Sequence, residues 1–267
     1  MKKLMIAMGA AALLGAVHAD GIVSSDIVGY NTKSITANQF YLLGAQFEEI
    51  GENGVAGLNT SIQTTGISPV LYDNTDDAAR IDVLTADASG YISYYYISDA
   101  DDGTDRYNLT GWADGDGFLV DEATLPLGKG FWFRVPAKTA SGTPAFTVSG
   151  KVADDSDFTL TIPSGGTFAI LSNPYPTAIN LGNVVTTGIT PVVYDETDNA
   201  ARIDVLTADA SGYISYYYIS DADDGTDCYN LTGWADGDGF IVDDAVIEAG
   251  AAFWVRSPTG GSLTFSL

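Results

Sequence analysis

The chain has 267 residues, of which 46% are apolar and 11% aromatic, and its 11 basic and 35 acidic residues give a formal net charge of −24. This charge excludes nucleic acids and anionic membrane surfaces as partners, whereas the apolar content is sufficient for a packed core. His18 is the only histidine and Cys228 the only cysteine. An internal disulfide is therefore excluded. Beyond His18 the chain has no histidine, so catalysis by histidine and histidine-ligated metal sites are excluded there as well.

Residues 1–19 have the pattern of a secretory signal peptide. Two lysines precede an apolar run from Leu4 to Val17, and the small residues Val17 and Ala19 occupy the −3 and −1 positions of a cleavage site. The run is too short for a membrane anchor, and we expect neither membrane insertion nor a lipid anchor. We predict a secreted or cell-surface protein that starts at Asp20, with 11 − 2 = 9 basic residues and a net charge of 9 − 35 = −26.

The remaining sequence contains one unit twice. Thr64–Pro136 aligns with Thr186–Pro258 at an offset of 122, with 58 identities in 73 positions, and Ala78–Asp105 is repeated without change. With its flanking segments each unit has roughly 120 residues, which is an ordinary size for one domain. We therefore divide the chain into a signal peptide (1–19), a first β-sandwich repeat (20–149) and a second (150–267).

Within each unit, short segments rich in β-branched and aromatic residues alternate with clusters of Gly, Asp and Asn, which is typical of strands and turns. In the first unit the predicted strands are Pro69–Asp73, Arg80–Ala86, Tyr91–Ser98, Gly117–Asp121, Phe131–Val135 and Ala145–Gly150. Asp87–Gly90 predicts a hairpin turn, and the only helix candidates are Leu58–Gln63 and Ile179–Val185. This pattern predicts an all-β fold of two tandem β-sandwich, jelly-roll-like domains.

Several stretches resemble known exported proteins. They are Asp20–Ile35 ("DGIVSSDIVGYNTKSI"), Leu171–Pro176 ("LSNPYP"), Trp112 and Leu125–Phe133 ("LPLGKGFWF"). The chain is similar in these stretches to uncharacterised exported β-sandwich proteins of the Verrucomicrobia–Lentisphaerae bacteria, and its "NPYP" turn resembles surface modules of Bacteroidetes. The first repeat departs from the pattern, with "GAQF" where the second has "SNPY". The resemblance implies an exported β-sandwich and carries no activity and no catalytic residue.

Aspartates are concentrated after the tyrosine-rich strand, in the stretch "DADDGTD" of each repeat. Clustered carboxylates repel one another, and Ca²⁺ offsets this repulsion by accepting oxygen ligands from a flexible loop. The candidate metal ligands are Asp99, Asp101, Asp102, Asp105, Asp221, Asp223, Asp224 and Asp227. The alternative is a solvated acidic turn. An EF-hand is excluded, because Leu109 stands where its last ligand, a Glu, belongs.

The predicted strand Tyr91–Ser98 carries tyrosine on both faces, because side chains alternate along a strand. Beside Trp112 and Trp132, such a strand could provide a stacking platform for a sugar ring. The candidate ligand-binding residues are Tyr95, Trp112, Tyr217 and Trp234. The alternative is aromatic packing in the core.

No residue is identified as catalytic. Glycoside hydrolysis needs one carboxyl with a raised pKa in a partly buried cleft, and the acids here lie in Gly-rich, turn-like segments. The first interpretation is an exported, non-enzymatic structural or adhesive surface protein with calcium-binding loops, whose partner is extracellular matrix, a glycan or another surface protein. The second is an extracellular carbohydrate-binding protein, and the third is a carboxylate-dependent hydrolase. The sequence sets no oligomeric state.

Overall fold

The computed structural model describes residues 28–48, 57–104, 108–120, 123–153, 155–225, 230–242 and 244–266. The predicted signal peptide and two predicted metal ligands, Asp105 and Asp227, lie outside these residues. Most regular elements in the described ranges are antiparallel strands, so the all-β prediction is confirmed. A span of the bilayer would need a far longer apolar helix than any found in these ranges.

The first part of the chain supplies strands to two sheets. In chain order its elements are β1 (Val28–Ser34), β2 (Phe40–Gly44), α1 (Leu58–Ser61), β3 (Ile62–Ile67), β4 (Arg80–Leu84), β5 (Tyr91–Ala100), β6 (Leu109–Ala113), β7 (Gly130–Arg134) and β8 (Ala140–Lys151). A 3-10 helix, Tyr72–Asp77, lies between β3 and β4.

The second part repeats this order with small additions. Its strands are β9 (Asp157–Ile162), β10 (Ala169–Ser172), β11 (Ile179–Asn180), β12 (Val185–Thr187), β13 (Arg202–Leu206), β14 (Tyr213–Ala222), β15 (Leu231–Ala235), β16 (Val246–Ile247), β17 (Ala252–Arg256) and β18 (Gly261–Ser266). Two 3-10 helices, Leu181–Asn183 and Tyr194–Asn199, complete it.

Each repeat is a sandwich of a five-stranded and a three-stranded antiparallel sheet. The first repeat has the strand orders β2-β7-β4-β5-β6 and β1-β8-β3, and the second has β10-β17-β13-β14-β15 and β12-β18-β9, with β11-β16 as a separate pair. Corresponding strands therefore occupy corresponding places in the two five-stranded sheets. We call the face of each five-stranded sheet that points away from its three-stranded partner the outer face.

The core of each repeat lies between its two sheets. In the first repeat, the rings of Phe131 and Phe133 lie 5.9 and 4.3 Å from that of Phe146 on β8. In the second, Phe253 faces Phe265 across 6.3 Å. All five rings are buried, and burial of such a side chain stabilises the fold by about 1.5–3 kcal/mol. The outer faces consequently remain available for other contacts.

Two of the predicted strands are wrong. Pro69–Asp73 leads into the 3-10 helix, in which the Asn74 N–H donates to the Leu71 carbonyl (2.8 Å). In the predicted strand Gly117–Asp121, whose last residue lies outside the described ranges, Phe118 and Leu119 form single bridges instead of a strand. The Asp114 carboxylate accepts from the Phe118 N–H (3.0 Å) and bends the chain there. In both segments an Asp- or Asn-rich turn competes successfully with strand pairing.

The helix candidates are also much shorter than predicted. α1 covers only the first residues of Leu58–Gln63, and Ile179–Val185 divides into β11, a 3-10 turn and the start of β12. The Asn180 side chain accepts from the Gly182 N–H (2.8 Å), which favours a tight turn at that point.

The two repeats contact each other through their outer faces. The Gly44 N–H donates to the Gly250 carbonyl (3.0 Å), and the Ser172 N–H donates to the Gly128 carbonyl (2.8 Å). An apolar cluster fills the space between the sheets, with Leu42, Leu84, Ile170 and Ala252 buried in it and Ala88, Trp132, Leu206 and Trp254 packed against it. Equivalent positions of both repeats thus meet, as in an isologous dimer interface.

Close approach of the two sheets explains two glycines. A Cβ added to Gly130 would lie 2.7 Å from the Cβ of Ala252, and one added to Gly44 would lie 2.6 Å from the Oγ of Ser172. In the second repeat, Ala252 and Ser172 themselves occupy the positions that correspond to Gly130 and Gly44. The repeats therefore differ in sequence where they meet, because the glycines of the first leave room for the side chains of the second.

Candidate functional site

The predicted metal ligands that the structure describes accept hydrogen bonds from backbone N–H groups, Asp99 and Asp221 from the start of a 3-10 helix and the others within turns. The carboxylates and the N–H groups that donate to them are Asp99 with Tyr72 (2.7 Å), Asp101 with Gly103 (2.8 Å), Asp102 with Thr104 (3.0 Å), Asp221 with Tyr194 (2.7 Å) and Asp223 with Gly225 (2.8 Å). Asp224 lies in the same turn as Asp223. Across the described ranges, no group of three or more His, Cys, Asp or Glu residues is arranged to hold a metal ion. Calcium binding stays a prediction, since Asp105 and Asp227 lie outside those ranges.

The predicted platform of Tyr95 with Trp112 does not form. Trp112 lies opposite Tyr96, on the inner face of the sheet, whereas Tyr95 lies opposite Ala113 and points to the outer face. Trp112 is only 1% exposed and packs 5.4 Å from the Tyr96 ring. The second repeat has the same arrangement, with Trp234 buried in the core and Tyr217 half-buried on the outer face. Trp112 and Trp234 are therefore core residues.

A different aromatic site lies at the contact between the repeats. An open cleft of about 900 Å³ separates the outer face of the first five-stranded sheet from the β13–β14 hairpin of the second repeat. Phe40, Arg80, Asp82, Ser93 and Trp132 form its floor, and the hairpin residues Leu206 and 209–213 form the opposite wall. Both repeats are therefore needed to build it.

The floor of the cleft carries a fixed polar group beside an indole. Strand pairing places Asp82 opposite Ser93 on one side and opposite Trp132 on the other. The buried Asp82 carboxylate accepts from the Arg80 Nε (2.9 Å) and from the Ser93 Oγ (2.5 Å). These bonds hold the Arg80 and Asp82 side chains in one orientation, because charge-assisted hydrogen bonds are stronger than neutral ones.

Aromatic rings form the apolar part of the cleft. Phe40 meets Trp132 edge to face, with ring centroids 6.2 Å apart. The exposed rings of Tyr91 and Tyr213 lie at the starts of β5 and β14. Burial raises the pKa of Tyr91 above its ordinary value, and the charges of Asp82 and Tyr213 add to this rise, which the neighbouring Trp132 side chain partly opposes. The Tyr91 hydroxyl is therefore protonated at neutral pH and can donate to a ligand.

The hairpin wall has a rigid tip. The Asp209 carboxylate accepts from the Thr207 hydroxyl (2.8 Å) and from the hydroxyl and N–H of Ser211 (2.8 and 3.1 Å), and these bonds lower its pKa to about 2. Ala210 has a φ of 55°, which is uncommon for a residue with a Cβ. The carboxylate therefore stays ionised at neutral pH, where it can accept hydrogen bonds but cannot act as a general acid.

Two amide side chains stand at the rim. The Asn38 Oδ1 accepts from the Ala137 N–H (3.0 Å), and the Gln39 Oε1 accepts from the Tyr41 hydroxyl (3.1 Å). Both oxygens are therefore held by the protein, and the amide N–H₂ groups are further donors at the cleft. The cleft thus combines aromatic rings with fixed donors and acceptors, the composition expected of a site for a small polar ligand.

Sequence reasoning named Trp132 as a neighbour of the tyrosine strand but missed its partners. A signal was present in β4, where Arg80 and Asp82 alternate with the buried Ile81, which places both charges on the outer face. This alternation is also what a solvated face produces. The sequence did not indicate that a distant hairpin covers these charges.

No family model matches the chain, and no curated protein sequence matches it. A search of solved structures finds a weak likeness to the major capsid protein P2 of bacteriophage PM2, with 11% identity, 89% of each chain covered and a TM-score of 0.13. A score this low carries no argument about fold or function. The resemblance to exported bacterial proteins therefore stays a prediction.

Proposed function

We propose that the protein is an exported, non-catalytic carbohydrate-binding protein that holds its ligand in the cleft between the repeats. One observation carries the proposal: the Trp132 indole lies directly beside the Arg80–Asp82 pair on the floor of that cleft. A sugar ring presents an apolar C–H face and a rim of hydroxyl groups that both donate and accept. Aromatic rings match the first, and the carboxylate, guanidinium and amides match the second.

The charge of the cleft favours a neutral ligand. Arg80 and Asp82 neutralise each other, and Asp209 adds one negative charge, so the three sum to +1 − 1 − 1 = −1. An acidic sugar or a phosphorylated ligand would be repelled by this charge and by the strongly acidic chain. Neutral hexoses, pentoses and N-acetylated sugars are the ligands that fit.

The geometry supports binding in preference to hydrolysis. Asp209 has a pKa of about 2 and is ionised, and Asp82 is engaged by Arg80 and Ser93. An acid catalyst for glycoside cleavage needs a carboxyl that is protonated near neutral pH. The bonds that keep Asp209 ionised also hold its carboxylate in place for recognition.

A glycan array tests the proposal directly. The chain from Asp20 should bind a set of neutral glycans, and Trp132→Ala should lose all of them, because the indole supplies the apolar face of the site. A protein that binds no glycan, or a variant that keeps the full set, would refute the proposal.

A structural or adhesive role with calcium-stiffened loops is the second candidate. In its favour, Asp99 lies near the end of β5 and Asp101 and Asp102 lie in the turn that follows, and the second repeat has the same arrangement. Calcium titration by calorimetry and thermal unfolding with and without EDTA test it. We expect heat of binding and a lower melting temperature on chelation; no heat and no shift would leave the aspartates as turn acceptors alone.

A further inference from the structure

A second recess adjoins the cleft. This groove, of about 830 Å³, also runs between the two repeats. It shares four lining residues with the cleft: Gln39 and Phe40 of the first repeat, and Leu206 and Ala210 of the second. The cleft and the groove therefore meet along one line, between the start of β2 and the β13–β14 hairpin.

The groove follows an edge strand. It is lined by β2 from Phe40 to Gly44, which is 44 − 40 = 4 residue steps, and at about 3.4 Å per residue these steps span about 14 Å. The Gly44 N–H points to the edge side, where it donates to the Gly250 carbonyl (3.0 Å). Because backbone groups alternate along a strand, the N–H groups of Leu42 and Phe40 point to this side as well.

The far end of the groove is polar and fixed. The Asn31 amide N–H₂ donates to the Gln46 Oε1 (2.7 Å), and the Gln46 Nε2 donates to the Tyr175 carbonyl (3.2 Å). Gln46 is only 1% exposed, so this amide pair is part of the packed interface between the repeats. Lys33 and Glu248 also line the groove, one on each repeat. Lys33 and Glu248 are exposed and can thus reach a ligand at this end, whereas the Asn31–Gln46 pair is already hydrogen-bonded within the protein.

We infer that the ligand is a linear neutral oligosaccharide. One sugar ring lies in the cleft beside Trp132, and the chain passes Phe40 and Ala210 and continues along β2 in the groove. This inference rests on the proposed function, because it extends the same site to a longer ligand. A single sugar would occupy the cleft alone and leave the adjoining groove to water.

A blocking variant separates the groove from the cleft. Ala208 lines the groove, is exposed and does not line the cleft. Ala208→Trp would place an indole in the groove without removing a packed side chain. Ala86→Trp is the matched control, because Ala86 occupies the same position in the hairpin of the first repeat and is also exposed.

The experiment is a length series. Calorimetry would measure the affinity of the chain from Asp20 for the mono- to hexasaccharide of the sugar that the glycan array selects. For the unaltered protein and for Ala86→Trp, we expect the affinity to rise at least about tenfold, or about 1.4 kcal/mol, from the disaccharide to the tetrasaccharide. Ala208→Trp should lose this rise and bind the monosaccharide with unchanged affinity.

The possible results test the oligosaccharide inference and the proposed function separately. Equal affinity for all lengths, or a rise that survives Ala208→Trp, would overturn the oligosaccharide inference and leave a cleft that binds one sugar. Absence of binding at every length would overturn the proposed function itself. Unchanged monosaccharide affinity in Ala208→Trp also shows that the variant is folded.

Discussion

The outer faces of the two five-stranded sheets carry the same framework but differ at their rims. In the second repeat, Asp204 accepts from the Ser215 Oγ (2.5 Å) and pairs with Arg202 (2.8 Å), as Asp82 does with Ser93 and Arg80 in the first. The Phe168–Trp254 pair is also edge to face, at 5.8 Å. The equivalent strand register of the two sheets thus places the same Arg–Asp–Ser contacts and the same Phe–Trp pair on both outer faces.

The rims are where the faces diverge. Asn38 and Gln39 of the first repeat are replaced by Gly166 and Thr167 in the second, so the corresponding place offers no amide. In addition, Arg202 and Arg256 lie over the Phe168 ring, at 5.9 and 5.7 Å, whereas in the first repeat Arg134 lies over the corresponding Phe40 ring, at 5.5 Å. The two sheets thus provide the same floor, while the neighbouring loops place different groups at the two rims. In the proposed function, this difference at the rim decides which face binds the sugar.

The largest expected effect on stability is that of breaking the polar pair on either face. Asp82→Ala leaves Arg80 without its carboxylate in a partly buried place, and we expect a loss of about 2–3 kcal/mol of unfolding free energy. Asp204→Ala should cost about the same, since its contacts are equivalent. Urea denaturation measures both, and a cost confined to one repeat would contradict the equivalence of the two floors.

The next effect concerns the contact between the repeats. Gly130→Ala introduces a Cβ 2.7 Å from that of Ala252, and such overpacking costs about 1–3 kcal/mol. The reverse change, Ala252→Gly, removes a buried methyl group and should cost only about 1 kcal/mol. Thermal unfolding compares them, and equal melting temperatures would show that the sheets do not approach as closely as described.

Exchanging the rim residues tests whether the rim of the first repeat contacts the ligand. The double variant Asn38→Gly, Gln39→Thr gives the first rim the residues of the second. We expect its affinity for the array-selected sugar to fall about tenfold, because it loses hydrogen bonds worth about 1.4 kcal/mol. Calorimetry measures the change. Unaltered affinity would mean that the rim does not contact the ligand.

The smallest effect should come from the hairpin tip. Asp209 has a folded pKa of about 2 against an ordinary value of 3.8, so its stabilisation of the tip is complete above about pH 4 and is lost as the pH falls towards 2. Titration of the Asp209 carboxyl should therefore leave the sugar affinity unchanged between pH 7 and about pH 4. An NMR titration of the carboxyl checks the value, and a midpoint near 4 would contradict the three hydrogen bonds.

A matched pair of variants tests the role of the same tip in binding. Asp209→Asn should weaken binding by about threefold or less at neutral pH, because the amide can still accept from Ser211 with reduced strength. Asp87→Asn makes the same change at the tip of the first hairpin, and Asp87 does not line the cleft. Calorimetry should therefore find unchanged affinity for Asp87→Asn.

The sequence was sufficient to predict the class of fold and the faces of its strands. The alternation of Tyr94 and Tyr96 with Tyr95 is found as expected, with the first two packed against the core and Tyr95 on the outer face. The period of two along a strand fixes this without any knowledge of the partner strands. Periodicity could not show that Trp112 lies opposite Tyr96, because that pairing depends on register between strands.

The cleft itself could not be predicted from these patterns. Phe40 and Ala210 are far apart in sequence and meet only because the outer faces pack together. Polar alternation such as that of Arg80 and Asp82 identifies a face but not what covers it. The one hint lay in the differences between the repeats, since glycine at 130 opposite alanine at 252 is the pattern that a close contact between them requires.

The central claim is that the outer face of the first repeat, and not that of the second, binds the sugar. Its most direct test is calorimetry of the array-selected sugar with the unaltered chain, Trp132→Ala and Trp254→Ala. The two tryptophans pack against the same interface cluster, so both changes should lower the melting temperature to a similar extent. We expect an affinity loss of about 100-fold, or about 2.7 kcal/mol, for Trp132→Ala, and a change of less than about threefold for Trp254→Ala. Equal losses in both variants, or no loss in Trp132→Ala, would contradict it.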